Sequence, residues 1–291
     1  MSIVNAKEIM VKAAAEKYAV GAFNITSIVQ MMAVVEAASA KKAPVIIQTS
    51  VKPSKFYGAD VLVAIYRTLA EKAPIPICLH LDHCTDVDYC KRLADTGYTN
   101  IMIDASKQSF DENIRQTKEV ADYSHAAGDI SVEGELGTVS GVEDQIKVAE
   151  DEAQLANPDQ AIEFVERTGI DIFAPAIGTA HGVYKTKNPK IDFERMAEIN
   201  RRLNGGGIKV PLVVHGGTGL PEEYIKKLLA AGGAKFNVST ELKHTLINTE
   251  LAYIQAHLDE FDPGKVDEAT KQATIAVVSQ WIDMLGSAGR A

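Results

Sequence analysis

Disulfide chemistry has almost nothing to work with in this chain: 291 residues hold three cysteines, Cys78, Cys84 and Cys90. An odd, sparse set cannot staple a fold, so a hydrophobic core must hold it, and a reducing compartment, the cytoplasm, is the expected location. A chain of this length can build such a core unaided. Positive charge is also scarce. Lys and Arg total 30 against 39 Asp and Glu, leaving a net charge of −9 and a pI of about 5.3. Nucleic acid demands a basic surface and is not expected as a partner. A small phosphorylated ligand, which needs only a few local donors, stays open. No apolar run approaches the roughly 20 residues of a membrane span, so no membrane partner is expected. The opening Met1-Ser2-Ile3-Val4-Asn5-Ala6-Lys7-Glu8 lacks the basic and apolar regions of a signal peptide. Pro/Gly/Ser-rich linkers and low-complexity blocks are missing too, which points to a single domain over residues 1–291.

What the chain does have is alternation. Eight short apolar runs read as buried parallel strands, at residues 20–24, 44–50, 75–80, 99–104, 130–135, 170–176, 210–215 and 234–238. Helical patterns separate them. Ile28, Met31, Met32 and Val35 recur at helical spacing behind Thr26 or Ser27 as N-cap. Asn157-Pro158 opens another helix that Gly169 ends, and Pro221-Glu222-Glu223 opens one closed by Gly232-Gly233. Eight β-then-α units predict an α/β fold, a single (β/α)8 TIM barrel, with residues from about 241 to 291 as a C-terminal helical extension. A doubly wound sheet is the structural alternative, because periodicity does not report closure. Residues 137–157 are long, polar and acidic and read as a loop that could act as a lid.

Polar residues collect where these strands end. Asn24, Ser50, Asp82-His83, Asp104, Glu133, Glu135, His181, His215 and Asn237 all lie at or just after a strand's C-terminal end. In a barrel those ends converge on one face, where active sites form. One histidine after a strand is usually a hydrogen-bonded structural residue. Three of them (His83, His181 and His215), beside carboxylates, suit a catalytic zinc with one position open. His80 ends a strand and is expected to pack in the barrel; His125, His244 and His257 sit in helical patterns at the surface. Gly178-Thr179-Ala180-His181-Gly182 and His215-Gly216-Gly217-Thr218-Gly219 each follow a strand, and such glycines let backbone N–H groups approach an anion. Asn237-Val238-Ser239-Thr240, after the eighth strand, adds donors where TIM barrels often hold phosphate.

At this point the sequence resembles the class II, metal-dependent ketose-bisphosphate aldolases over nearly its whole length. The resemblance rests on Gly21-Ala22-Phe23-Asn24, His80-Leu81-Asp82-His83, Met102-Ile103-Asp104-Ala105-Ser106, Val132-Glu133-Gly134-Glu135-Leu136-Gly137, His181-Gly182-Val183-Tyr184-Lys185, His215-Gly216-Gly217-Thr218-Gly219 and Asn237-Val238-Ser239-Thr240. It implies that His83, His181 and His215 hold a catalytic zinc, and that Asp104 and Glu135 belong to a second divalent position. It implies Asp82 as the acid/base at the C4 oxygen and Glu143, on the acidic loop, as the carboxylate that exchanges the C3 proton. Asn24, Ser50, Gly182, Lys185, Gly216, Gly217, Thr218, Asn237, Val238, Ser239 and Thr240 would bind substrate, and backbone carbonyls near Gly182 and Gly216 a monovalent cation. Relatives form dimers or larger assemblies, so a homo-oligomer is expected.

The implied reaction is reversible cleavage of a ketose 1,6-bisphosphate, fructose 1,6-bisphosphate foremost, to dihydroxyacetone phosphate and an aldehyde such as glyceraldehyde 3-phosphate. Asp82 could instead merely orient His83, and Glu143-Asp144 could be a solvated pair. A class I aldolase would need a Schiff-base lysine; Lys235, in the last strand, is the candidate, with a structural role as its simpler reading. The chain departs from the family at the distal end of the substrate. The glycine-rich loop after the second strand is replaced by Ser50-Val51-Lys52-Pro53-Ser54-Lys55, and the arginine that follows an Asp-Pro pair in relatives is Gly264, in Asp262-Pro263-Gly264-Lys265. Lysine does not reproduce a guanidinium fork. Tagatose 1,6-bisphosphate or a modified ketose 1-phosphate therefore stays open as substrate, as do a non-catalytic aldolase partner subunit and another phosphosugar enzyme such as an isomerase.

Overall fold

The computed structural model describes residues 2–143, 146–149, 153–184, 186, 188–207 and 209–291, without the side chains of residues 142, 143, 146 and 147. Helix α1 (Ala6–Glu16) leads into β1 (Val20–Asn24), α2 (Ile28–Lys41), β2 (Val45–Ser50), α3 (Val51–Tyr57) and α4 (Ala59–Lys72). Next come β3 (Ile77–Cys84), α5 (Val87–Thr96), β4 (Asn100–Ile103), α6 (Phe110–Ala127) and β5 (Ser131–Leu136). Strands β6 (Ser140–Glu143) and β7 (Ile146–Val148) precede α7 (Pro158–Thr168), β8 (Ile172–Pro175), β9 (Ala180–His181) and α8 (Phe193–Asn204). Strand β10 (Leu212–Val214), α9 (Glu222–Ala230), β11 (Gly233–Val238), α10 (Thr240–Ala256) and α11 (Pro263–Met284) complete the chain.

Eight strands close a parallel barrel in the order β1-β11-β10-β8-β5-β4-β3-β2. Closure is visible at β1, which pairs with β2 through Ala22↔Ile46 and with β11 through Val20↔Lys235. The barrel, not the open doubly wound sheet, is the fold. The punctuation read from the sequence operates as expected. Ser27 caps α2 by accepting from the Gln30 N–H, Asn157 caps α7 ahead of Pro158, and Gly169 ends α7 in the left-handed region. Two apolar clusters result, one between strands and outer helices and one inside the barrel. The inner one joins Val20, Ala22, Ile46, Cys78, Ile172 and Val213 to Ile9, Met10 and Ala13 of α1, which plugs the N-terminal end. The opposite end is left for the site.

Three elements differ from expectation. The 137–157 segment is not all loop: β6 and β7 form an antiparallel hairpin, and β6 also pairs with β9. The lysine-bearing segment after β2 is the helix α3. The C-terminal stretch is not simply an extension. Helix α11 packs along α2 and against β1, burying Val278, Trp281 and Ile282, so it completes the outer ring, and α10 packs along α11. No helix among the described residues is long and apolar enough to cross a membrane.

Candidate active site

Strand alternation would send adjacent residues to opposite faces, yet Asp82 and His83 are both buried at the top of the barrel. The register explains this. Leu81 pairs with Ile101 and Cys84 with Ile103, so β3 carries an extra residue against β4, a β-bulge. His83 occupies the bulge in the left-handed region, with φ 48. That conformation costs a non-glycine residue about 1–2 kcal/mol. It places His83 beside the imidazoles of His181 and His215, with ring centroids 4.7 and 4.5 Å away.

One nitrogen from each of these three histidines lies within 4.8 Å of the others, and His83, Asp104 and Glu135 form a second such group. The outer ring nitrogens of His83 and His215 are committed. His83 Nδ1 is 2.8 Å from Asp104 Oδ2, and His215 Nε2 is 3.0 Å from Glu133 Oε1. Both carboxylates stay ionised despite burial. Lys235 and His215 hold Glu133 well below the usual range, and His83 together with Ser106 brings Asp104 down to about 2. An ionised carboxylate only accepts, so both rings carry their proton on that side and offer the other nitrogen to the cluster. There His83 Nε2 and His215 Nδ1 meet at 2.7 Å, while buried His181 Nε2 and Glu135 Oε2 have no hydrogen-bond partner among the described residues. This donor set fits a borderline divalent metal.

In the metal-free protein His83 carries a proton on its cluster-facing nitrogen as well. Burial would lower His83, but Asp82, Asp104 and Glu135 outweigh it and hold its imidazolium up to about 10. Burial lowers His181 and His215, and the charge on His83 lowers them further. Burial and the neighbouring Asp104 push Glu135 well above its ordinary value. Asp82 is pulled the other way. Burial alone would raise it, yet His83, His80 and Lys235 keep it well below the carboxylate range. Its oxygens accept from Asn24 Nδ2 at 2.8 Å and Asn237 Nδ2 at 3.2 Å. Asp104, not Asp82, orients the His83 ring.

Glycine permits the loops above the histidines to touch. A Cβ on Gly216, at φ 68, would collide with the backbone of Ala180. The contact is pinned by Tyr184, whose hydroxyl accepts from the Ala180 N–H at 3.0 Å and donates to the Gly216 carbonyl at 2.7 Å. Ser239, as N-cap, and Thr240 open α10 at this recess, and the N-terminus of a helix presents N–H groups that suit an anion. Asn24, Asp82, His83, His181, Gly182, Gly216, Thr218, Asn237, Ser239 and Thr240 line one recess.

The family model described as fructose-bisphosphate aldolase class-II matches residues 4–290. The chain belongs to the class II fructose-bisphosphate aldolase family. It is similar to the fructose-bisphosphate aldolase of Helicobacter pylori, 37% identical over 311 aligned residues that cover 99% of each chain. It is 39% identical to that of Geobacillus stearothermophilus over 294 residues, covering 100% of this chain and 99% of the other. The crystal structure of the YdjI aldolase from Escherichia coli K12 superposes with a TM-score of 0.83 at 29% identity, covering 99% of both chains. The protein is thus an enzyme, an aldolase and so a lyase of carbohydrate metabolism, and its family acts on phosphorylated sugars.

Seen as a class II aldolase site, ten of the residues expected from the sequence share the recess, with Asp104 and Glu135 against His83. Ser50, buried at the end of β2, precedes α3, and Gly217 and Val238 are packed behind the recess. The Glu143 side chain and Lys185 lie outside the described residues. Lys235 is no Schiff-base nucleophile. It is fully buried in the barrel, its Nζ 2.8 Å from Glu133 Oε2. His80 packs beside it, as expected. Sequence reasoning missed Gln48, which donates to Asn24 and so braces Asp82, and the bridging Tyr184. Inward alternation from Ser50 could have found Gln48; nothing local signals Tyr184.

Proposed function

We propose that the protein reversibly cleaves a ketose 1,6-bisphosphate, fructose 1,6-bisphosphate foremost, to dihydroxyacetone phosphate and glyceraldehyde 3-phosphate. The observation that carries this reading is the convergence of three imidazoles, those of His83 and His215 buried and that of His181 half-buried, beneath two glycine loops, with ionised Asp82 alongside. Zinc is the metal assigned to His83, His181 and His215, and when bound it supplies Lewis-acid polarisation of the C2 carbonyl. His83, Asp104 and Glu135 would serve a second divalent position, and carbonyls near Gly182 and Gly216 a monovalent cation.

The residues divide the remaining work. Asp82 takes the C4 hydroxyl proton as the C3–C4 bond breaks. Its ionised state suits a base, and Asn24 and Asn237 fix its orientation. Glu143 returns a proton to C3. The dihydroxyacetone-phosphate half rests on Gly182, Lys185, the Gly216-Gly217-Thr218 loop and residues 237–240, with Ser50 at the end of β2 as a further substrate contact. A positioned carboxylate contributes ~10²–10⁴-fold, so Asp82→Asn should lower kcat by at least about 10²-fold. Zinc content should stay at the wild-type level in that variant. Near-normal turnover removes Asp82 from the mechanism.

A second reading concerns the aldehyde half. Lys265 is paired with Glu260, and Lys55 stacks on the Tyr89 ring at 4.7 Å. Those engagements, with Gly264 where relatives carry arginine, favour a substrate whose distal group is not the usual phosphate. Comparing kcat/KM for fructose 1,6-bisphosphate, tagatose 1,6-bisphosphate and a ketose 1-phosphate decides. An unchanged value without the 6-phosphate selects the second reading. We also assign a homo-oligomer, through the apolar face of α10, and a cytoplasmic location, which suits three buried free cysteines.

A further inference from the structure

The barrel interior holds a buried ion pair that the proposed reaction does not use. Lys235 on β11 and Glu133 on β5 are both fully buried, Nζ 2.8 Å from Oε2. Burying two charges costs enough that an apolar pair of similar volume is often as stable. The pair sits in a polar column along the barrel axis. At the N-terminal end Ser131 Oγ accepts the Ala6 N–H of α1 at 3.1 Å and donates to Asn100 Oδ1. Asn100 Nδ2 meets His80 Nδ1, and His80 Nε2 lies 3.3 Å from Lys235 Nζ. At the other end Glu133 Oε1 is 3.0 Å from His215 Nε2, and His215 Nδ1 is 2.7 Å from His83 Nε2.

The column gives each oxygen of Glu133 one task. Oε1 accepts the Nε2–H of His215, which directs the Nδ1 lone pair into the three-histidine cluster. Oε2 is anchored by Lys235, so the carboxylate cannot rotate away from the ring. We propose that Glu133 is a positioning residue for His215 as a metal ligand and that Lys235 acts by holding Glu133. This rests on the metal-centre reading above and assigns the role of two core residues within it. A carboxylate behind a ligating imidazole fixes tautomer and ring orientation, and its loss commonly weakens metal binding.

Two double variants separate the role from core stability, because both replace the ion pair with uncharged side chains. Glu133→Gln with Lys235→Met keeps an acceptor for His215; Glu133→Leu with Lys235→Met removes it. Zinc dissociation constants of the metal-free proteins are measured by competition with a chromophoric chelator. The glutamine variant should bind within about threefold of wild type and the leucine variant ~10–100-fold more weakly. Equal affinities overturn the proposal. A wild-type protein that fails to bind zinc would instead sink the metal-centre reading itself. In zinc-loaded wild type, ¹⁵N spectra of the imidazoles should show His215 as the Nε2–H tautomer; the Nδ1–H tautomer would also overturn the proposal.

Discussion

At the scale of single residues, the site depends on protons that a metal must displace. In the metal-free protein His83 stays charged up to about 10, because Asp82 and Asp104 foremost outweigh its burial, and Glu135 is pushed toward its neutral form by burial and Asp104. Metal ligands must be unprotonated. The metal-free state therefore binds more protons than the loaded one, and raising pH favours loading. Apparent zinc affinity should rise by about tenfold per pH unit between pH 6.5 and 8 from the His83 proton alone. Calorimetry in buffers of different ionisation enthalpy should register proton release, at least one per zinc. A pH-independent affinity would show that His83 is already neutral. These residues also mark the limit of reading chemistry from sequence. The strand-end histidines and carboxylates were legible because residue type and position sufficed. The inward turn of His83 was not, since period-two alternation sends it outward and only the bulge reverses that.

At the scale of elements, long periodic segments were legible and short tertiary-dependent ones were not. All eight barrel strands and the capped helices followed apolar runs and cap residues. Hairpin β6–β7 did not, because strands of four and three residues in an acidic stretch carry little periodic signal and depend on pairing with β9. The join between elements at the closed end of the barrel is a clearer test of what holds them. Asp171, just before β8, accepts from Lys7 of α1 at 2.9 Å, His125 of α6 at 2.7 Å and the Val132 N–H of β5 at 2.9 Å. Burial raises its carboxyl, but these bonds bring it below its ordinary value. Asp171→Ala leaves the Val132 N–H buried without its acceptor and should cost about 1–3 kcal/mol in urea unfolding at pH 7. Because the folded value is depressed, this stabilisation is present above the unfolded value near 3.9 and fades as pH falls through the folded one. The gap between variant and wild type should therefore narrow below about pH 4. A gap independent of pH would assign the loss to packing. Catalysis, at the other end of the barrel, should be preserved at temperatures where both proteins are folded.

At the scale of the whole molecule, the barrel satisfies itself and α10 does not. Of its 17 residues only Leu242 is buried, while Ile247, Leu251 and Ile254 recur at helical spacing and remain 59%, 52% and 52% exposed. Leu258 and Phe261, in the turn to α11, extend the apolar stripe. Within the chain α10 packs along α11, which leaves this apolar stripe without a partner in the chain, and most helical stability in proteins comes from packing apolar faces. In the homo-oligomer proposed above, a second copy of the chain would supply a matching face by two-fold symmetry. Sedimentation should give twice the chain mass of 31.4 kDa. Leu251→Glu with Ile254→Glu should give the single-chain mass, because two carboxylates cannot be buried unpaired in a symmetric apolar contact. The far-ultraviolet spectrum of that variant should keep its barrel signature, since neither residue packs on the strands. A wild type that sediments as one chain, or a double variant that still sediments at twice that mass, would show that this face is not where copies meet.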